Sequence, residues 1–272
     1  MQYIQNHILK FTLGLSLLFT SMLVMAEVEI TFLANQGYLL SDGEDKIIVD
    51  GFLGESYAIF EGLEAGSALA MSKASGVFSG IDISLASHRH FEHFQPDTAC
   101  SFLKSSKSTL MVSSAQVITV LRERCKPFAK THANVKVAKP GIGVAPVYKK
   151  DGVEVEMIPL SHGIGKYASL QHYGHLMTVA GKTILHIGDA AADPVDFIAA
   201  GLQNRKLDIV IVPYTYFHRP SGKLILSQFL NASVIIVGHI PPKEKAQVTA
   251  AITADYPDAV IFDQRMSSKT FN

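Results

Sequence analysis

Ser87-His88-Arg89-His90-Phe91-Glu92-His93 follows a run of β-forming residues from Ile81 to Ala86, and its reading decides how the rest of the chain is understood. Three imidazoles and a carboxylate fall within the six residues from His88 to His93. On extended backbone, side chains at i and i+2 share one side, so His88 and His90 reach toward a single ion. Glu92 and His93 lie across the turn into the next helix, point elsewhere and can serve a second ion. A solvated polar loop is the bland reading, but His-x-His-x-x-His with an acid at its fifth position is rare by chance.

Working outward, three more ligand-type residues follow apolar strands and stand beside glycine. His162 comes after Met157-Ile-Pro-Leu, Asp189 after Thr183-Ile-Leu-His-Ile-Gly, and His239 after Val234-Ile-Ile-Val-Gly. A lone histidine after a strand is usually a hydrogen-bonded turn residue. Glycine lets the backbone turn sharply and sets the next side chain at the sheet's rim, so the three together suit two adjacent metals better than one. With only two cysteines, a four-thiolate zinc site is excluded, and imidazole and carboxylate must hold any ion. That donor set suits zinc best, as one or two ions, while manganese or iron accepts the same groups.

Composition narrows the class further. The 272 residues are 48% hydrophobic and 18% charged, which argues against disorder. The 24 basic residues balance 24 acidic ones, so no electrostatic reason exists to expect a nucleic-acid partner. Phe11 to Met25 is an uncharged, mostly apolar run behind Lys10, and Val24-Met25-Ala26 supplies small residues around a cleavage site. Residues 1–26 thus read as a secretory signal peptide cleaved after Ala26, with an uncleaved anchor as the alternative. The mature domain is 27–272, periplasmic or secreted, with no stable membrane insertion. In that compartment Cys100 and Cys125 form either a disulfide or two buried thiols.

The remaining pattern alternates strands and helices. Val28 to Leu33 and Lys46 to Val49 flank the turn Ser41-Asp42-Gly43 and predict an antiparallel opening. Gln95-Pro96-Asp97 starts a helix, and Ser113 or Ser114 caps a second one running to Cys125. The glycine- and proline-rich stretch 138–146 connects two halves. Val153 to Ile158 alternates as a strand, Leu176–Ala180 and Thr183–Ile187 form a hairpin around Gly181-Lys182, and Asp208–Val212 and Ser233–Val237 are further strands. Lys243 to Asp255 is helical in pattern.

Taken in order, Leu33-Ala-Asn-Gln-Gly-Tyr-Leu-Leu, Ile47-Ile-Val-Asp-Gly, the HRHFEH loop, His162, the stretch ending at Asp189 and the stretch carrying His239 make the chain resemble the metallo-β-lactamase superfamily of hydrolases. The resemblance covers nearly all of 27–272. It implies an α/β fold, an αββα sandwich of two mixed sheets flanked by helices, with a dinuclear site at one edge. It implies that His88, His90 and His162 hold the first metal, Glu92, His93 and His239 the second, and that Asp189 bridges them. The family loop carries aspartate where this chain has Glu92, a methylene longer. Either the site tolerates the change, or the second ion binds weakly, or Glu92 acts only as a base.

Glu92 and Asp189 are therefore the candidate proton acceptors for a metal-assisted hydrolysis. Asp189 in place of cysteine argues against the thiolate-using zinc β-lactamases and resembles the lactonase, thioesterase and phosphodiesterase branches. The expectation is hydrolysis of a small-molecule ester, lactone, thioester or phosphodiester. A catalytically inactive metal- or partner-binding member and a periplasmic solute-binding protein are the alternatives. Asp50 is expected to brace the metal loop, His186 to be buried, and His172 and His175 to lie at the surface. Tyr216, His218 and Arg219, after the strand ending at Pro213, are weaker candidates for a substrate wall.

Overall fold

The computed structural model describes residues 27–127, 133–139 and 145–272. The signal-peptide expectation for residues 1–26 lies outside the described residues. Among the described residues thirteen strands form two sheets, the first in the order β13-β1-β2-β3-β4-β5-β6 and the second in the order β12-β11-β10-β9-β8-β7. The first contains β1 (Val28–Ala34), β2 (Gly37–Ser41), β3 (Lys46–Val49), β4 (Ile83–Ala86), β5 (Leu110–Ser113), β6 (Val135–Val137) and β13 (Ser268–Phe271). The second contains β7 (Val147–Lys150), β8 (Val153–Pro159), β9 (Tyr173–Val179), β10 (Lys182–His186), β11 (Leu207–Pro213) and β12 (Ala232–Gly238). The chain changes sheet between β6 and β7, within the connection expected at 138–146.

Strand alternation builds the layers. In β3, Ile47 and Val49 enter the core between the sheets while Ile48 faces outward. In β11, Ile209 and Ile211 point inward while Val210 and Val212 join the outer core. Both faces are buried, so these strands read as continuous apolar runs. Helices α1 (Ala65–Ser72), α2 (Pro96–Ser105) and α3 (Ala115–Arg124) cover the first sheet. Helices α4 (Pro194–Ala199), α6 (Pro220–Gln228) and α7 (Lys245–Asp255), with the short turn α5 (Thr215–His218), cover the second. The result is the expected αββα sandwich.

Local chemistry explains the element ends. Pro96 sits in the first turn of α2, and the Ser114 hydroxyl accepts the Val117 amide at 3.2 Å to cap α3. Cys100 on α2 and Cys125 at the end of α3 form a disulfide that ties the two helices in the outer core. The β9–β10 hairpin turns at Ala180 and Gly181, with φ of 52° and 71°. A two-residue turn of this kind needs positive φ at both positions, which moves it one residue ahead of the expected Gly181-Lys182. Five of these strands went unread: β2, β5, β6, β7 and β13. β2 follows a tight turn where Asn35 takes φ 52°, so the opening is a three-stranded meander. β13 is a mostly exposed edge of polar sequence that carries little hydrophobic signal.

Candidate metal centre

The carboxyl ends of β3, β4, β8, β10 and β12 meet at one rim, the end at which open α/β sheets carry their ligands. Asp50, His88, His162, Asp189 and His239 follow these strands. Among the described residues, the ligand atoms of His88, His90 and His162 lie within 4.8 Å of one another, as do those of His88, His93 and Asp189. Asp189 Oδ2 stands 3.2 Å from His93 Nε2, 3.3 Å from His239 Nε2 and 3.7 Å from His162 Nε2. His88 Nε2 and His90 Nδ1 approach to 2.9 Å, and His93 Nε2 and His239 Nε2 to 3.1 Å.

A network behind the rim fixes which nitrogen of each ring carries its proton. Asp50 is buried, and its oxygens accept the Ser87 amide at 2.6 Å, the Ser87 hydroxyl at 2.6 Å and His93 Nδ1 at 2.8 Å. Having donated to Asp50, the Ser87 hydroxyl accepts from His88 Nδ1 at 2.9 Å. Both His88 and His93 then keep a proton on Nδ1 and turn Nε2 to the centre, as a bare lone pair in His88 and, without a cation, as an N–H toward Asp189 in His93. Burial works to raise the Asp50 carboxyl, but its hydrogen bond and charge interaction with His93 hold it well below the usual range. Asp50 braces the loop as expected.

His172 ties two ligand-bearing strand ends together. The Asp189 amide donates to its Nε2 at 3.0 Å, so its Nδ1 proton goes to the Leu160 carbonyl at 2.9 Å. Gly188, with φ 55°, lets this ring approach, since a Cβ there would meet His172 Nε2 and Ser87 Cβ at 2.7 Å. His186 is buried, receives the Gly188 amide at 3.3 Å and donates to the Gln36 carbonyl at 3.0 Å. The surface expectation for His172 and His175 is wrong: both are buried. Burial first of all lowers their imidazolium pKa, to about 4 and about 3, so both rings are neutral.

Electrostatics favours a cation at the rim. Burial works to raise the Asp189 carboxyl, but His239 and His93 hold it well below its ordinary range. Burial works to lower His93, yet Asp189 and Asp50 push it up to about 10. His88 is held well below its usual value, first by burial, and is a neutral imidazole, the form that binds metal. Both nitrogens of His162 and Oδ1 of Asp189 are buried without a hydrogen-bond partner. Imidazole nitrogens converging on a carboxylate oxygen, with orphaned polar atoms around it, are the arrangement that a divalent ion satisfies. The residues fit one or two ions.

Not every expected residue reaches the centre. The Glu92 carboxylate belongs to neither group, whereas its backbone carbonyl accepts from Asn35 Nδ2 at 2.7 Å. That bond, with the His239 amide on the Asn35 carbonyl at 2.9 Å, joins the first metal loop to the last. Tyr216 lines the cleft over the centre but is buried, and its hydroxyl donates to the Ala190 carbonyl at 2.8 Å. His218 is exposed and lines a different cavity with Lys223 and Asp255, because α5 turns it away from the rim. Arg219 does line the cleft, together with His162, Asp189 and His239. Tyr167 and Phe60 were not foreseen. Their rings lie 4.8 Å from His162 and 4.4 Å from His239. Single aromatic residues in loops gave no pattern to find them by.

Fold and site together define a metal-binding αββα sandwich. A family model described as the beta-lactamase superfamily domain matches residues 47–257, and the chain belongs to this family, within the metallo-β-lactamase superfamily. It is similar to a metal-dependent hydrolase of Thermus thermophilus, 26% identical over 168 residues, covering 60% of this chain and 62% of that one. A metal-dependent hydrolase of Pyrococcus furiosus is 24% identical over 164 residues, covering 60% and 61%. The chain thus spans about three fifths of the length of these relatives. A crystal structure titled as a "possible metal-dependent hydrolase" from Veillonella parvula shares the fold, with a TM-score of 0.67 at 14% identity, over 90% of this chain and 100% of that one.

Proposed function

We propose that the protein is an exported metal-dependent hydrolase of a small ester, lactone, thioester or phosphodiester. The observation that carries this reading is the convergence of His93, His162 and His239 on one oxygen of Asp189, with His88 shared between two ligand groups. His88, His90 and His162 would hold one ion, His93 and His239 a second, and Asp189 would face both. Zinc suits this donor set best. When bound, the metal supplies a hydrolytic nucleophile at neutral pH and Lewis acidity toward the scissile carbonyl or phosphoryl group.

The chain's own groups do the rest. Asp50 and Ser87 hold His88 and His93 in the ligating tautomer. Asp189 Oδ1, free of any hydrogen bond, is placed to accept a proton. Glu92, half-buried beside His90, is a second acceptor at the rim. Because its carboxylate stands outside both ligand groups, the second ion is held by fewer carboxylates than the family loop would provide. This favours operation with one tightly bound ion and a weaker second.

Export is supported by the apolar run at 11–25 and by the Cys100–Cys125 disulfide, which suits an oxidising compartment. Among the described residues no helix is long and apolar enough to cross a membrane. The balanced charge disfavours nucleic acid as substrate. The test is metal analysis of purified 27–272, followed by hydrolysis assays with a β-lactam, a lactone, a thioester and a phosphodiester, with His88→Ala as control. Metal-dependent turnover of one class that the control lacks is expected. A protein that retains no metal and is activated by none would refute the reading.

A further inference from the structure

We infer that the cleft over the metal centre takes an amphiphilic monoanion, its negative group held by Arg219 and its apolar part lying on Ile164 and Tyr167. The inference rests on the reading of this cleft as the substrate site. The cavity encloses about 540 Å³, a size suited to a small molecule. His162, Asp189 and His239 line it from the centre, Arg219 and Ser221 from the junction of α5 and α6, and Ile164 and Tyr167 from the loop after β8.

Arg219 is the one lysine or arginine among the residues lining the cavity. It forms no ion pair with any carboxylate among the described residues, whereas Arg124, Arg205 and Arg265 all do. Its guanidinium therefore offers a cleft ligand several unused donors, in a geometry that matches a carboxylate or phosphate. Two acids also line the cleft, Asp189 at the centre and Asp193, whose Oδ1 accepts the Val195 amide at 3.0 Å to cap α4. Neither forms an ion pair with Arg219.

The apolar side is equally specific. Ile164 is 90% exposed, the most exposed large apolar side chain described. It stands between Gly163, at φ 153°, and Gly165, at φ 65°. An aliphatic side chain held open to water on a glycine-flanked loop, two residues from His162, gains burial only when something apolar enters the cleft. Tyr167 continues that surface inward, its ring lying against His162 and His90. A ligand that engages both Arg219 and Ile164 shares the cavity with His162, Asp189 and His239, so its hydrolysable bond would lie between its anionic and apolar ends.

Calorimetric titration of the zinc-loaded protein with hexanoate, hexanamide and acetate tests the assignment. Hexanoate should bind about tenfold or more tighter than hexanamide, since a charge-assisted contact is lost, and similarly tighter than acetate, since the apolar contact is lost. Arg219→Gln should bring hexanoate and hexanamide within about twofold of each other while leaving the preference over acetate, and Arg219→Lys should restore most of the charge preference. Ile164→Ser should do the reverse, reducing the preference over acetate alone. A charge preference that survives Arg219→Gln would assign the anion to the metal and overturn the inference, as would equal binding of all three probes. Turnover is read separately: this binding pattern with no metal-dependent hydrolysis of mono-4-nitrophenyl glutarate or of any class in the panel above refutes the hydrolase reading and leaves the ligand class standing.

Discussion

Replacing Asp50 with asparagine tests the tautomer argument more directly than replacing any ligand. The backbone tolerates the change, because Asp50 sits at φ 47° and asparagine accepts this left-handed conformation as readily as aspartate. One amide oxygen still accepts the Ser87 amide. The new amide nitrogen, however, confronts two donors, the Ser87 hydroxyl and His93 Nδ1, each formerly within 2.8 Å of an acceptor. The hydroxyl can turn to donate to His88 Nδ1, which forces the His88 proton onto Nε2. His93 must likewise move its proton to Nε2 to avoid a donor–donor clash. In both rings Nε2, the nitrogen a metal would take, then carries the proton that Nδ1 held.

Loss of one such supporting contact typically weakens metal binding about 10- to 100-fold, and two ligands are disturbed here, so the upper end applies. A hundredfold loss corresponds to about 2.7 kcal/mol. The assay is zinc competition against a chromophoric chelator, with circular dichroism to verify the fold. Zinc affinity within twofold of the parent, in a folded Asp50→Asn protein, would refute the reasoning.

Reducing the Cys100–Cys125 bond, or replacing both residues with serine, should lower stability by roughly 3 kcal/mol for a closed loop of 25 residues, read from the urea midpoint with and without reductant. His172→Phe should leave the Asp189 amide and Leu160 carbonyl unpaired at a cost of about 1–3 kcal/mol each, measured by urea unfolding in chelator. His175 is neutral in the fold, with its pKa lowered from 6.5 to about 3 by burial, so below pH 6.5 the unfolded chain binds a proton that the native state does not. Stability therefore falls as the pH drops through the window from 6.5 toward 3, and His175→Leu should lose about 1.5 kcal/mol less than the parent between pH 6.5 and 5. Parallel stability curves for the two proteins would contradict that assignment.

The legible parts of this molecule are those whose signal is local. His88, His90 and His93 are close in sequence, and the apolar runs before His162, Asp189 and His239 announce strands whose ends must share a rim. What stayed hidden depends on partners far away in the chain. Whether His172 and His175 are exposed is decided by which strand covers them, and β9 is an interior strand of its sheet. Tyr216 looked like a substrate residue because its segment follows a strand, but a two-step turn of helix swings its hydroxyl onto Ala190. Glu92 occupies a ligand position by sequence, while in the structure its carboxylate lies outside both ligand groups. β13 pairs with β1 from the other end of the chain, a contact that no short window contains.

The division of ligands between the sheets has a mechanical meaning. His88, His90 and His93 hang from the first sheet, and His162, Asp189 and His239 from the second, so a bound ion would span the gap that Met177, Ile184 and Ile211 fill from within. The thickness of that filling sets the distance between the two halves of the centre. Met177→Ala, which touches no ligand and should cost about 2–5 kcal/mol, would let the layers settle toward each other and change the bite of the site on its metal. The centre is in this sense a caliper closed on the hydrophobic core, and its choice of ion is written partly in aliphatic side chains that never meet it.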